Sequence, residues 1–325
     1  MDNSMDSVKN DTQGIQLYQQ LPKPWEEAGM RTHKWLSNSE VVLNRITPSD
    51  RMHEVNLDRD PLPSAKTLGV MWHASEDAFT FVSHITEQEC EWTKRIFLSR
   101  IVTLFDPLGL MVPFLIRAKI LMQEVWLHGL EWDERLPQEL FAMVNAWFAE
   151  LSLLSEMKIS RCLQLKKVPD ASQEAYGAAV YMKVEYQDGF SSVCLVASKT
   201  KVAPLQIIST ARLELMGAVL GNRLAKSVAN ALSMEKKSIT FWTDSANVQW
   251  WIRGYSHTFK PFVANRVGEI QMSSSPEHWR HVPITMNPAD YLTHGVKLVE
   301  ILNLKSWWEG PEYLRKDEQC GQEIL

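Results

Sequence analysis

Four acidic residues stand where a folded chain can bring them together: Asp170, Glu214, Asp244 and Asp290. Asp244 follows Ser238-Ile239-Thr240-Phe241-Trp242, β-branched and aromatic like a buried strand. Asp244-Ser245 can end that strand and cap a helix begun by Ala246-Asn247-Val248-Gln249-Trp250-Trp251-Ile252 and stopped by Gly254. A carboxylate is thereby set at the carboxyl end of a strand, where open α/β sheets collect their ligands. Asp170 precedes the strand-like run Tyr176-Gly177-Ala178-Ala179-Val180-Tyr181-Met182. Glu214 lies near the start of a helix whose Leu213, Met216, Leu220, Leu224 and Val228 recur at helical spacing, so it faces inward or along the edge of that stripe. Asp290 stands in the turn Asn287-Pro288-Ala289-Asp290 before a last helical stretch. Oxygen donors of this kind suit Mg²⁺, which takes carboxylate and water ligands and leaves room for a substrate phosphate.

The elements that must position these groups need a chain of some size. At 325 residues and 45% hydrophobic content there is material for two domains and a substantial core. A net charge of −5 argues against broad, non-specific clamping of nucleic acid but leaves room for a local basic groove. Cys90, Cys162, Cys194 and Cys320 have neither zinc-ligand spacing nor a disulfide framework, which points to reduced thiols. No apolar signal region or membrane-length run is present, so the expected setting is intracellular, cytoplasmic or nuclear, with no membrane partner.

In chain order, Gln16–Leu21 reads as helix until Pro22 and Pro24 interrupt it, and Trp25–Met30 resumes it. Thr67–Trp72 and Phe79–Val82 read as paired strands with Ser75-Glu76-Asp77 turning between them. Three helices follow: Thr93–Phe105, ended by Asp106-Pro107-Leu108-Gly109, then Phe114–Gly129 and Pro137–Ser155. Trp126, Trp132 and Trp147 are expected in the core of that helical unit. Strands and helices then alternate to about Leu304.

The motifs Lys34-Trp35-Leu36-Ser37-Asn38, Lys66-Thr67-Leu68-Gly69-Val70, Thr93-Lys94-Arg95, Leu104-Phe105-Asp106-Pro107-Leu108-Gly109, Asp170-Ala171-Ser172 and Lys199-Thr200-Lys201-Val202-Ala203-Pro204 run in one order. Arg212-Leu213-Glu214-Leu215, Trp242-Thr243-Asp244-Ser245, Phe262-Val263-Ala264-Asn265-Arg266-Val267, Trp279-Arg280-His281-Val282-Pro283, Asn287-Pro288-Ala289-Asp290 and Trp307-Trp308 continue it. Together they resemble the Pol polyprotein of BEL/Pao-type long-terminal-repeat retrotransposons, the Pao retrotransposon peptidase family. The fold class implied is α/β and α+β: a ribonuclease H-like mixed sheet with flanking helices, preceded by a partial reverse-transcriptase palm and a small helical region. The implied boundaries are 1–90 for the palm remnant, 91–157 for the thumb or connection region, 158–305 for the ribonuclease H-like domain and 306–325 for a C-terminal tail.

The resemblance implies two-metal hydrolysis of RNA in RNA–DNA hybrids, with two Mg²⁺ ions and Mn²⁺ as a substitute. Asp170 would bridge the ions, Glu214 and Asp244 would serve one, and Asp290 the other. His294 would be an auxiliary proton carrier. Lys199, Lys201 and Arg212 would contact the hybrid, and the remaining Pol segments of an intact element would be partners. Met1-Asp2-Asn3-Ser4-Met5-Asp6-Ser7 resembles the polymerase's catalytic aspartate turn, but Asn3 replaces the second aspartate, so no polymerase activity is expected. Where the family pattern has an aromatic-rich strand directly before Asp170, this chain has Lys166-Lys167-Val168-Pro169 and a shortened approach. Pro169 cannot donate a ladder hydrogen bond in what would be a central strand, so a displaced Asp170 and weak, Mn²⁺-favouring activity are expected. Two other classes stand beside this reading. One is an inactive remnant that folds and binds nucleic acid. The other is an aspartic peptidase, although Asp11-Thr12-Gln13-Gly14 and Asp244-Ser245-Ala246 both lack the Asp-Thr/Ser-Gly such an enzyme needs.

Overall fold

Local signals mark where several helices begin. In the computed structural model, which describes residues 5–52, 62, 64–67, 70–81, 91–161, 165–171, 175–186, 191–234 and 239–315, the side chains of Asn10, Ser39, Thr93 and Ser245 each accept a hydrogen bond from the first turn of a helix. For Thr67 and for 165–171 the backbone alone is described. Met1 to Ser4 of the polymerase-like turn lie outside the described residues. Among these residues no helix is long and apolar enough to cross a membrane.

The chain forms two units, one of residues 1–83 with 154–162 and the other of 84–153 with 163–325. The first contains helices α1 (Asp11–Gln20), α2 (Pro22–Glu27) and α3 (Glu40–Arg45). Its antiparallel sheet has strands β1 (Ser64–Thr67), β2 (Val70–His73), β3 (Ala78–Thr80) and β4 (Ile159–Ser160), in that order. Two expectations change here. Pro22 and Pro24 sit in the first turn of α2, where a missing N–H costs nothing, so they start a helix as well as ending one. The run expected as one strand over Thr67–Trp72 falls on two antiparallel strands, with Thr67 opposite Val70.

The second unit combines helices α4 (Lys94–Ile101), α5 (Val112–Leu127) and α6 (Gln138–Ala149) with an α/β half. Trp92 stacks on Phe148 at 4.5 Å, and Phe114 on Trp147 at 4.5 Å. Of the three tryptophans expected in this core only Trp147 is buried. Trp126 and Trp132 are 46% and 39% exposed and meet edge to face, with the Lys94 ammonium 4.3 Å from the Trp126 ring. Amphipathic rings tolerate such half-wet sites, and a neighbouring cation favours them.

The α/β half begins with the antiparallel strands β5 (Leu165–Ala171), β6 (Ala175–Glu185) and β7 (Ser191–Val202). Helix α7 (Thr210–Ala231) packs on them. Strand β8 (Phe241–Thr243), α8 (Ala246–Arg253), α9 (Pro261–Gln271) and β9 (Trp279–His281) follow, with β8 and β9 parallel. The chain then passes through the 3₁₀ turn Pro288–Asp290, α10 (Tyr291–His294), α11 (Leu298–Asn303) and α12 (Lys305–Trp308). Asp170 lies inside β5, opposite Gly177. Pro169 does not interrupt the ladder: it stands opposite Ala178 with the register continuous on both sides. β8 packs beside β5, but among the described residues β5 has a ladder on the β6 side alone, and a one-sided strand is where proline is tolerated. Within the segment expected as a tail, Trp307 is fully buried and its indole donates to the Leu110 carbonyl at 3.0 Å.

The Asp106-Pro107-Leu108-Gly109 turn docks the helices on the sheet. Asp106 accepts from Leu110 N at 2.9 Å and Met111 N at 2.8 Å, and Ser198 N donates to the Leu108 carbonyl at 2.9 Å. Gly109, at φ 73°, lies so close to Ser198 that a Cβ would run into its carbonyl. Burial pushes the Asp106 carboxyl up to about 6 despite the amides of Met111, Leu110 and Gly109 that hold it down. Leu110 and Met111 are themselves buried, so Asp106→Ala strands two amides and is expected to cost about 1–3 kcal/mol in urea denaturation. Because the folded-state carboxyl binds its proton more tightly than the unfolded one, its stabilisation is complete below the ordinary value of 3.8 and is lost as pH rises through about 6. The wild-type advantage over Asp106→Ala should shrink across that window.

Candidate metal and nucleic-acid site

β5 is the strand on which the other carboxylate-bearing elements meet. α7, β8 and the Pro288–Asp290 turn all pack against it. The Asp170 backbone faces Gly177 across the ladder. A Cβ on Gly177 would meet the Leu292 side chain at 2.8 Å, so the bare glycine admits the helix that follows Asp290. Thr200 Oγ1 donates to the Leu292 carbonyl at 3.0 Å and fixes that approach.

Asp244 leaves the end of β8, held by its backbone. His281 Nε2 donates to its carbonyl at 3.1 Å, and Val282 N to that of Thr243 at 3.0 Å. Underneath, Phe241 stacks on Trp279 at 4.5 Å. Ser245 has a double role: its hydroxyl caps α8 by accepting from Val248 N at 3.2 Å and donates to Glu214 Oε2 at 2.5 Å. Asp244 and Glu214 are thereby drawn together. Burial raises the affinity of Glu214 for its proton, the Ser245 hydrogen bond opposes this, and the charge of Asp244 adds to the rise.

Asp290 is turned into its own helix start, with Oδ1 3.2 Å from His294 Nδ1, while Thr293 donates to its backbone carbonyl at 2.7 Å. The structure therefore brings Glu214 and Asp244 together and gives Asp290 a local partner in His294. Among the described residues no group of three His, Cys, Asp or Glu side chains is gathered for a metal ion. The pair fits a hard cation in chemistry: the donors are oxygens, and a cation would relieve both the burial of Glu214 and its repulsion by Asp244.

Of the residues expected to meet nucleic acid, Lys199 and Lys201 are exposed at alternate positions of β7 and so share one face. Arg212 is exposed, its guanidinium 5.2 Å from the Phe262 ring, which Arg266 also covers at 3.6 Å. Arg223 and Arg266 were not among the residues expected to meet nucleic acid. With Tyr176, Lys201, Asn265 and Glu269 they line a groove of about 380 Å³ between α7 and α9. Arg223 makes a fork with Glu269, at 2.6 and 2.8 Å. Among the described residues no carboxylate comes within 4 Å of a Lys201 or Arg266 nitrogen. The groove has an excess of positive charge on a chain of net charge −5.

A family model described as "Pao retrotransposon-like RNaseH-like domain" matches residues 93–245, which include Asp170, Glu214 and Asp244. No curated protein matches the sequence. The chain is similar to the N-terminal RNase H domain of Rv2228c from Mycobacterium tuberculosis, solved as a fusion with maltose binding protein, at 16% identity over 43% of this chain and 95% of that one, with a TM-score of 0.27. It is also similar to the foamy viral protease-reverse transcriptase dRH in complex with double-stranded DNA, at 11% identity over 85% of this chain and 44% of that one, with a TM-score of 0.44.

Glu214→Gln removes a like charge beside Asp244 and keeps an acceptor for Ser245. A carboxyl whose folded proton affinity is raised stabilises fully below its unfolded pKa and loses that contribution as pH rises through its folded one. The variant, melted in EDTA, should therefore gain about 1–3 °C at pH 7–8, with the gain vanishing at acid pH. The antiparallel β5–β6–β7 sheet, the helix across it and the parallel β8–β9 pair are the framework, a sheet with flanking helices, and residues 93–245 are similar to the Pao retrotransposon-like RNaseH-like domain.

Proposed function

We propose that residues 158–305 carry a divalent-metal-dependent endonuclease that hydrolyses RNA in RNA–DNA hybrids. The observation that carries the reading is the held pair Glu214 and Asp244, two carboxylates on elements that both pack on the strand of Asp170. Two bound Mg²⁺ ions would activate the attacking water and stabilise the leaving oxygen. Asp170, Glu214, Asp244 and Asp290 would hold them. Ser245 keeps the Glu214 carboxylate from turning away, and His281 fixes the backbone of Asp244. Lys199, Lys201 and Arg212, with Arg266 in the groove, would take phosphates, while hybrid geometry would be read through 2′-hydroxyls. Residues 1–90 are proposed as the trailing part of a reverse-transcriptase palm without polymerase activity, and 91–157 as its thumb or connection region. The remaining Pol segments would be partners in an intact element.

A second reading, a fold that binds nucleic acid and cleaves nothing, is favoured by the local engagement of Asp290 with His294. Incubating the purified chain with a labelled RNA–DNA hybrid and Mg²⁺ or Mn²⁺ separates the two. Cleavage is expected, blocked by EDTA and reduced at least about 100-fold by Asp244→Asn. Hybrid binding without cleavage in either metal would establish the second reading. Lys201→Ala and Arg266→Ala should each raise KM with little change in kcat and lower the salt dependence of binding by about one charge.

A further inference from the structure

The segment after α12 is fixed tightly beneath the sheet. Gly310 adopts φ 69°, and a Cβ there would lie 2.7 Å from Val193 and 3.2 Å from the Tyr181 ring. Pro311 and Leu314 on either side of the next turn are buried. Tyr313 is thereby set against Trp242, with ring centroids 4.9 Å apart at 52°. Trp242 is two residues before Asp244, and side chains two apart along an extended chain share a side. The Tyr313 ring is thus placed at the end of β8 from which Asp244 projects.

The Tyr313 hydroxyl is buried and, among the described residues, has no hydrogen-bond partner; the same holds for the hydroxyl of Tyr181. A buried polar group left unmade costs about 1–3 kcal/mol, and phenylalanine would fill either place without that cost. The two phenols are electrostatic neighbours: burial raises Tyr181 well above its ordinary value and the presence of Tyr313 adds to the rise. Burial likewise raises Tyr313, and the charge of Asp244 adds to it. The third phenol nearby, Tyr291, is already bonded to Ser306 at 3.0 Å.

We propose that, with a cation held by the carboxylates, Tyr181 and Tyr313 form a buried relay that positions Asp244, the Tyr313 hydroxyl then donating to the Asp244 carboxylate and the Tyr181 hydroxyl to that of Tyr313. This inference rests on the carboxylates being a metal site. When one carboxylate oxygen turns to a cation, the other is left to accept, and the relay holds it there. Both orphaned hydroxyls then have a use. Tyr313 and Tyr181 are positioning residues, acting through Asp244.

The test compares wild type, Tyr313→Phe, Tyr181→Phe and the double variant as full chains, by thermal melting in EDTA and by calorimetric titration with Mn²⁺ alone. Tyr313→Phe should melt in EDTA at or above the wild-type temperature and bind Mn²⁺ about tenfold more weakly, the usual consequence of removing a partner of a metal ligand. Tyr181→Phe should weaken binding less, and the double variant should be no worse than Tyr313→Phe, since one hydroxyl acts through the other. Unchanged Mn²⁺ affinity in Tyr313→Phe, additive losses in the double variant, or a lowered melting temperature in EDTA would each overturn the relay. A wild-type chain with no Mn²⁺ response would remove the nuclease reading and the relay together, whereas a wild-type response kept intact by Tyr313→Phe removes the relay alone.

Discussion

The candidate site depends on a close approach that only a missing side chain permits. Gly177 lies opposite Asp170 in the β5–β6 ladder, and Leu292 occupies the space a Cβ would need. Thr200, buried on the neighbouring strand, spends its hydroxyl on the carbonyls of Tyr176 and Leu292, at 3.1 and 3.0 Å. These two contacts seat the Asp290 turn against the sheet. Any larger residue at 177 would lift α10 away, and with it the Asp290 turn that precedes it.

Electrostatics acts within this frame in the opposite sense to stability. Drawing Glu214 towards Asp244 under partial burial is unfavourable for both, and the Ser245 hydrogen bond offsets only part of that cost. A protein that keeps such an arrangement stores a preference for something positive. The groove between α7 and α9 carries the complementary preference, with Lys201 and Arg266 offered to an anion. Arg223 lies nine positions after Glu214, two and a half helical turns, so the groove and the carboxylates occupy opposite sides of α7.

The helical region is part of the same machinery. Leu108 and Gly109, in a turn braced by Asp106, bind it to Ser198 of β7, and Arg117 forks to Glu150 at 2.9 and 2.8 Å while Glu150 also accepts from Leu298 N. Val296 N donates to the Pro113 carbonyl, and the Trp307 indole to that of Leu110. Helices drawn from the middle of the chain and from its last third therefore share one core, and the Asp-Pro-Leu-Gly turn is a docking device as much as a helix stop.

What the sequence determined by itself was local and periodic. The cap at Ser245 and the stop at Gly254 are short-range signals that fall where the residues predict, and the aromatic strand before Asp244 forms over Phe241–Thr243, the end of the run read as strand. The apolar stripe of α7 placed Glu214 near its start in the same way. Contacts between distant segments were not written in any local pattern. Pro169 read as a break because its missing donor was judged against a two-sided strand, whereas β5 carries its ladder on the β6 side. Trp126 and Trp132 read as core because hydrophobicity alone cannot say that a lysine will cover the ring. The groove joins residues of β6, β7, α7 and α9, and Tyr313 reaches β8 across some seventy positions of sequence. Such juxtapositions follow from packing of whole elements against one another, a long-range property that composition and spacing do not encode.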